Sequence, residues 1–227
     1  MDYRHELKFE VSDAELTIIY YRLKALMHMD AHQEGSSYCI RSLYFDDLSD
    51  SCMRENEDGL DNRRKYRIRI YNGSDEIINL EKKIKFRGMT RKESVPLKRE
   101  ICEAYMNGKI PDFSEAQSDL EKELLCEVKM NGMRPKSIVE YERTAFVESR
   151  GNVRITFDRN ISGCSQVEAF FDSRLNTVPV LPKGHHVLEV KYDELLPEYI
   201  AGMLEISTLQ QTSFSKYYYS RQELIQI

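Results

Sequence analysis

The sequence has no tryptophan, no C-x-x-C pair and no long apolar run. Its five cysteines, Cys39, Cys52, Cys102, Cys126 and Cys164, are odd in number and scattered, which argues against a disulfide framework and against a zinc site. They fit reduced thiols, and the expected compartment is the cytoplasm. No uncharged stretch approaches the ~18 apolar residues of a membrane helix, so no membrane span is expected. The opening residues, Met1-Asp2-Tyr3-Arg4-His5-Glu6, are charged and lack the apolar core of a signal peptide. Internal repeats, low-complexity runs and linkers are also missing, so residues 1–227 are expected to form a single domain. No Ser/His/Asp arrangement points to a nucleophile.

Hydrophobic residues make up 41% of the chain, and 14 Tyr and 9 Phe supply the aromatic bulk, enough for a packed core. The net charge of −5 argues against a general nucleic-acid binder. That charge is unevenly spread. Residues 63–100 hold 13 Lys and Arg against 5 Asp and Glu, and the remainder holds 20 against 33. An acidic chain with one basic block suggests a local anion site more than a basic outer surface.

Within that block, Lys65–Tyr71 alternates charged residues with Tyr and Ile, the period of a strand. Lys65, Arg67 and Arg69 share one face; Tyr66, Ile68 and Ile70 share the other. Asn72-Gly73-Ser74-Asp75 signals a turn. Ile77–Arg87 reads as the returning strand, with Glu81, Lys83, Lys85 and Arg87 on one face. Gly88–Lys92 reads as a basic loop. Further strands are expected at Arg4–Val11, Tyr38–Asp46, Ser137–Glu148, Asn152–Asp158 and Val187–Tyr192, with a loop-rich stretch between the last two. Ser12-Asp13-Ala14-Glu15 and Ser118-Asp119-Leu120-Glu121 are capping boxes, opening helices to about Met29 and to Gly132. Arg99–Met106, Glu194–Glu205 and Ser215–Leu224 also read as helices. Asp47–Asn62 fits a short helix or a loop.

One strand type recurs. Arg, Lys and Glu gather on one face around Glu6 and Lys8, Arg67 and Arg69, Glu81 and Lys83, Arg154 and Asp158, and Glu189 and Lys191, with Arg143 in the Ser137–Glu148 strand. Two readings stay open: a sheet on helices with its charges in water, or a closed barrel with a charged interior. Unpaired charges inside a barrel are costly. A polyphosphate chain with a divalent cation would balance both signs, Arg and Lys on phosphate oxygens and carboxylates on Mg²⁺ or Mn²⁺.

Seven segments then occur in a telling order: Arg4–Glu10, Leu43–Asp46, Tyr66–Tyr71, Leu80–Lys83, Tyr141–Phe146, Val153–Asp158 and Leu188–Lys191. Together they resemble the VTC domain, the catalytic domain of the vacuolar transporter chaperone polyphosphate polymerase, in the triphosphate tunnel metalloenzyme (CYTH-like) superfamily. The resemblance runs from about Arg4 to Tyr219. It implies an α+β fold, an antiparallel eight-stranded β-barrel forming a tunnel with helices packed outside. It implies phosphate binding by Lys8, Arg67, Arg69, Lys83, Arg143 and Arg154, and metal binding by Glu189, with Lys191 on the same face. Phe214-Ser215-Lys216 is similar to a family element that puts Ser215 and Lys216 on phosphate. Glu6, Glu81 and Asp158 become supporting or further metal-binding carboxylates. Lys65 is left outside the site. The implied chemistry is metal-dependent transfer of the γ-phosphate of ATP to a growing polyphosphate chain, with Mn²⁺ or Mg²⁺ as cofactor. The implied partners are ATP or another triphosphate and inorganic polyphosphate, with no nucleic acid.

The chain departs from the pattern in three ways. Ser213 stands where the polymerase carries a lysine. Arg4 stands at the first glutamate of the CYTH E-x-E-x-K signature. The phosphate-sensing SPX domain and the membrane helices of the eukaryotic complex are not in the sequence, so transport across a membrane by this chain alone is not expected. Two alternatives therefore accompany the polymerase reading: a tripolyphosphate or nucleoside triphosphate hydrolase on the same scaffold, and a polyphosphate or polyanion binder without turnover. Blander roles also stand. Arg67 and Arg69 would pair with Glu81 across the hairpin, and Glu189 with Lys191 or Lys8. His185-His186 would lie in a loop or at a strand edge, and Tyr217–Tyr219 would pack the last helix.

Overall fold

Strand alternation puts the charged residues on one side of a sheet and the apolar ones on the other, and helices cover the apolar side. The computed structural model describes residues 3–31, 33, 35–205 and 209–225. Its strands, in chain order, are β1 (His5–Ser12), β2 (His28–Met29), β3 (Tyr38–Asp46), β4 (Arg63–Tyr71), β5 (Ser74–Phe86), β6 (Met89–Pro96), β7 (Arg134–Glu148), β8 (Val153–Cys164), β9 (Val178–Pro179) and β10 (His185–Tyr192). Eight follow one another in the order β1-β10-β8-β7-β3-β4-β5-β6, while β2 pairs with β7 and β9 with β8. Every pairing is antiparallel. The sheet curls until its edges meet. Arg4, just before β1, exchanges two 2.9 Å backbone hydrogen bonds with Thr90 of β6.

The helices are α1 (Asp13–Leu26), α2 (Ser51–Glu57), α3 (Arg99–Met106), α4 (Asp119–Asn131), α5 (Glu198–Leu204) and α6 (Lys216–Ile225). Both capping boxes start helices as the sequence predicts. Ser12 Oγ accepts from the Glu15 amide, and Glu15 accepts from the Ser12 amide at 2.8 Å. At α4, Ser118 Oγ accepts from the Glu121 amide, while Glu121 reaches back to the Gln117 amide instead. Asp46 settles the Asp47–Asn62 connection as a helix, α2. Its carboxylate accepts the amides of Cys52 at 2.8 Å and Met53 at 3.1 Å, and the Tyr217 hydroxyl at 2.6 Å, tying β3 to α2 and α6.

Two expectations change. Gly88–Lys92 is not a loop, because residues 89–96 form β6. Arg87 and Gly88 both have positive φ, 50° and 76°, and make the two-residue turn that hairpins favour. The Asp61 carboxylate accepts the Gly88 amide at 2.8 Å. The equivalent Asn72-Gly73 turn carries the familiar sequence signal; Arg-Gly does not. In addition, β8 runs six residues past its expected end at Asp158, through a register shift opposite Glu140 and Glu142.

The core is a shell around the sheet. Tyr66, Ile68, Ile70 and Leu80 pack against Cys102 and Tyr105 of α3 and Leu124 and Leu125 of α4. Phe9, Phe157, Leu188 and Val190 pack against Leu16, Ile19 and Leu23 of α1 and Ile200 and Leu204 of α5. Each such burial contributes roughly 1.5–3 kcal/mol. Among the described residues, no helix is long and apolar enough to cross a membrane.

Helix α6 lies close on β8. A Cβ added at Gly163 would sit against Ser220 Oγ and 3.2 Å from Ser220 Cβ, and Ser220 is fully buried. Gly163→Ala is expected to destabilise the fold by about 1–3 kcal/mol through overpacking, read as a lowered midpoint in thermal unfolding by circular dichroism.

Candidate functional site

The inward strand faces enclose a cavity of about 870 Å³. Its lining carries fourteen Lys and Arg side chains against three carboxylates, Glu6, Glu189 and Asp193. Of the residues singled out from the sequence, Lys8, Arg67, Arg69, Lys83, Arg143, Arg154, Lys191, Ser215, Lys216, Glu6 and Glu189 all line it. Glu81 and Asp158 do not; they lie beneath the lining, each with 0% of its surface exposed.

Those two carboxylates anchor opposite walls. Glu81 on β5 holds Arg67 at 2.6 Å, Arg69 at 3.4 Å and Lys92 at 2.9 Å. Burial alone would raise its pKa, but Arg69, Arg67 and Lys92 hold the carboxyl well below its usual range. Asp158 on β8 accepts two bonds from Arg143, at 2.6 and 2.7 Å, and one from Lys216 at 2.6 Å. Burial opposes its ionisation as well, and Arg143 and Lys216 outweigh it. Cross-hairpin pairing and an enclosed charged face therefore coexist here. The Arg67–Glu81 pair forms, and it forms inside the barrel.

A second group joins β1, β5 and β10. Glu6 holds Lys83 at 2.6 Å and Lys8 at 3.3 Å, and Glu189 holds Lys191 at 2.7 Å and Lys8 at 3.8 Å. Burial would raise Glu189, yet Lys191 and Lys8 keep it well below the carboxylate range. Glu6 and Glu189 also feel each other's charge. Among the described residues no group of three or more His, Cys, Asp or Glu gathers that could hold a metal alone. The donor set suits a hard cation only as Mg²⁺ is commonly held, by one or two carboxylates with the remaining oxygens from phosphate.

Register adds residues that the sequence reading missed. Lys65, Lys83 and Lys92 stand directly opposite one another across β4, β5 and β6. Like charges directly opposite repel. Burial pushes Lys83 down to about 7 despite Glu6 beside it, and Lys65 down to about 8, with Arg63 adding repulsion. Lys65 was expected outside the site, but it lines the cavity. It sits where α6 begins, with its ammonium 3.0 Å from Ser215 Oγ. Lys92 escaped notice because its strand read as a loop. Arg4, Lys85 and Arg91 also face the cavity. Only the pairing of strands, which no local pattern encodes, brings these cations together.

The remaining residues fall into place around this lining. Arg154 reaches Asp30 at 2.8 Å and the Tyr38 hydroxyl at 3.2 Å. Lys8 donates to the Phe214 carbonyl at 2.8 Å, and Ser215 Oγ accepts the Tyr218 amide at the start of α6. Tyr217 is a packing residue, as predicted, and its ring also borders the cavity. His185 and His186 open β10, paired with Glu10 and Asp13 and away from the cavity lining.

A curled antiparallel sheet with charges inside and helices outside is a triphosphate tunnel fold. The VTC domain family model matches residues 3–225, and the chain belongs to the VTC domain family. One solved structure agrees at the level of fold. A protein named as a proposed adenylate cyclase from Bacillus halodurans shares 11% identity, with 94% of each chain covered and a TM-score of 0.52. PH1819 protein from Pyrococcus horikoshii OT3 shares 13% identity over 97% of this chain and 99% of its own, with a TM-score of 0.49. No curated protein matches the sequence significantly.

Two measurements test this electrostatic arrangement. Glu81→Gln leaves three clustered cations without their counter-charge, and its expected cost is about 3–5 kcal/mol in urea unfolding. The second concerns pH. Lys83 and Lys65 have folded values near 7 and 8 against an ordinary 10.5, so above about pH 7 the unfolded chain binds more protons than the folded one. The ligand-free protein is therefore expected to gain stability between about pH 6.5 and 8.5. A fall across that interval would contradict the assignment.

Proposed function

We propose that this protein is a metal-dependent phosphoryl-transfer enzyme of the polyphosphate polymerase type, acting as a single domain on ATP or another triphosphate and on inorganic polyphosphate. The observation that carries this reading is the surplus of cations in an enclosed cavity, fourteen Lys and Arg side chains against three carboxylates in its lining. A linear phosphoanion supplies that missing charge along its whole length.

In the proposed reaction, an anionic oxygen at the chain end attacks the γ-phosphorus of ATP. The bond from that phosphorus to the bridging oxygen breaks, and ADP leaves. The attacking oxygen carries no proton, so no general base is needed. The protein's part is positioning and charge stabilisation. Arg67 and Arg69 on one wall, and Arg143 and Lys216 on the other, are held in place by Glu81 and Asp158 before a ligand arrives. Lys8, Lys83, Lys191 and Arg154 extend the cationic lining, and Ser215 offers a hydroxyl at the α6 N-terminus. Glu189, with Glu6 nearby, would hold Mn²⁺ or Mg²⁺, which when bound neutralises charge on phosphate oxygens. The five free thiols support a reducing, cytoplasmic setting.

Incubation of the purified protein with ATP and Mn²⁺, followed by separation of orthophosphate from long chains, tests the reading. Long chains are expected, reduced about a hundredfold or more by Arg67→Ala, the scale of losing one transition-state donor, and severely by Glu189→Ala. Orthophosphate without chains would select a hydrolase instead. Tight, salt-sensitive polyphosphate binding with no product would select a binder.

A further inference from the structure

Among the described residues, one β4 cation that the carboxylate network leaves out is Lys65. In its row, Lys83 has Glu6 at 2.6 Å and Lys92 has Glu81 at 2.9 Å. Lys65 has neutral partners only: Ser215 Oγ at 3.0 Å, Asn56 Oδ1 at 3.4 Å and the Tyr217 ring, whose centroid is 5.5 Å away. Among the described residues, no carboxylate oxygen lies within ion-pair distance of its ammonium. Arg63 and Lys8 add repulsion; the Glu55 and Asp46 carboxylates attract it from further off, and Asp46 is taken up by three amides and the Tyr217 hydroxyl. A desolvated ammonium held this way destabilises the empty protein. A side chain whose purpose at this position was packing would be neutral.

Ser215 is the other half of the arrangement. Its oxygen accepts from Lys65 and from the Tyr218 amide, so both of its lone pairs are used. Its own hydrogen remains to be donated, and among the described residues it has no acceptor. The Lys65 ammonium, with two of its three donors engaged, likewise keeps one. Both residues border the cavity.

We propose that Lys65 and Ser215 form a paired donor site for one phosphate oxygen of a linear phosphoanion, one step along β4 from Arg67, with Lys65 a binding residue of the cavity. The proposal rests on the anion reading of that cavity. Along β4 it continues the line of inward cations from Arg69 through Arg67 to Lys65 and Arg63, a run of about 20 Å at the usual strand rise. The ligand class it fits is therefore a chain of several phosphates laid along the strand.

The test is binding of long-chain inorganic polyphosphate to the full chain at fixed salt by calorimetry, with thermal unfolding of each ligand-free variant alongside. Lys65→Met is expected to weaken binding at least about tenfold, the loss of one charge-assisted hydrogen bond. Its ligand-free unfolding midpoint should stay level or rise, since a buried charge has gone. Lys65→Arg should retain most of the affinity. Wild-type affinity in Lys65→Met, or a lowered midpoint accompanying the weaker binding, would overturn the assignment and make Lys65 structural. If the wild-type protein itself binds no polyphosphate, the anion reading of the whole cavity falls instead.

Discussion

Glu81 is the point on which the cavity depends. It is wholly withdrawn from solvent, and it gathers Arg67 and Arg69 from one neighbouring strand and Lys92 from the other. A lone carboxylate in that position would be neutral; three cations keep it charged. In return, it fixes two guanidiniums in direction before any ligand enters. Asp158 does the same for Arg143 and Lys216 across the cavity. Dipoles and charges set in advance need no reorganisation when negative charge arrives, and this is where most electrostatic catalysis finds its advantage.

This arrangement requires that stability come from elsewhere. The sheet is inside out relative to a common sandwich, with its apolar face turned outward to α1, α3, α4 and α5 and its charged face turned inward. The shell supplies the hydrophobic free energy, and the interior is left to carry like charges at close range. Helix α6 joins the two layers. Tyr217 hydrogen-bonds buried Asp46, which caps α2, while the neighbouring Lys216 reaches Asp158 inside. A disturbance in the shell near α6 is thereby transmitted to the lining.

Local chemistry was legible in the sequence; pairing was not. Ser12 and Ser118 announced their helices because a cap is a contact among residues three apart. Charged alternation sorted five strands into a charged and an apolar face, since period two is written in consecutive residues, but left open whether the charged face lay inside a barrel or in water. The turn at Arg87-Gly88 was hidden, because arginine rarely adopts positive φ and gives no hint of doing so, and β6 was lost with it. Lys65 was misjudged for a different reason. Its place depends on β4 meeting β5 in one register and on α6 starting beside them, both long-range facts. The sequence resemblance reached the lining residues it named, but could not show that Glu81 and Asp158 lie under the surface and not on it.

The strand that the sequence concealed has a second consequence. β6 is a sheet edge, whose backbone meets the β1 end of the sheet at the Arg4–Thr90 bridge. Edges of this length are templates on which other chains can add a strand, the first step toward aggregation. Here the exposed backbone is flanked by Arg91, Lys92 and Glu93 and closed by Pro96, which has no amide hydrogen to offer. Lys92 serves the interior through Glu81. It also places a charge in the row that an incoming strand would have to cover, so one set of basic residues arms the cavity and guards the rim against self-association.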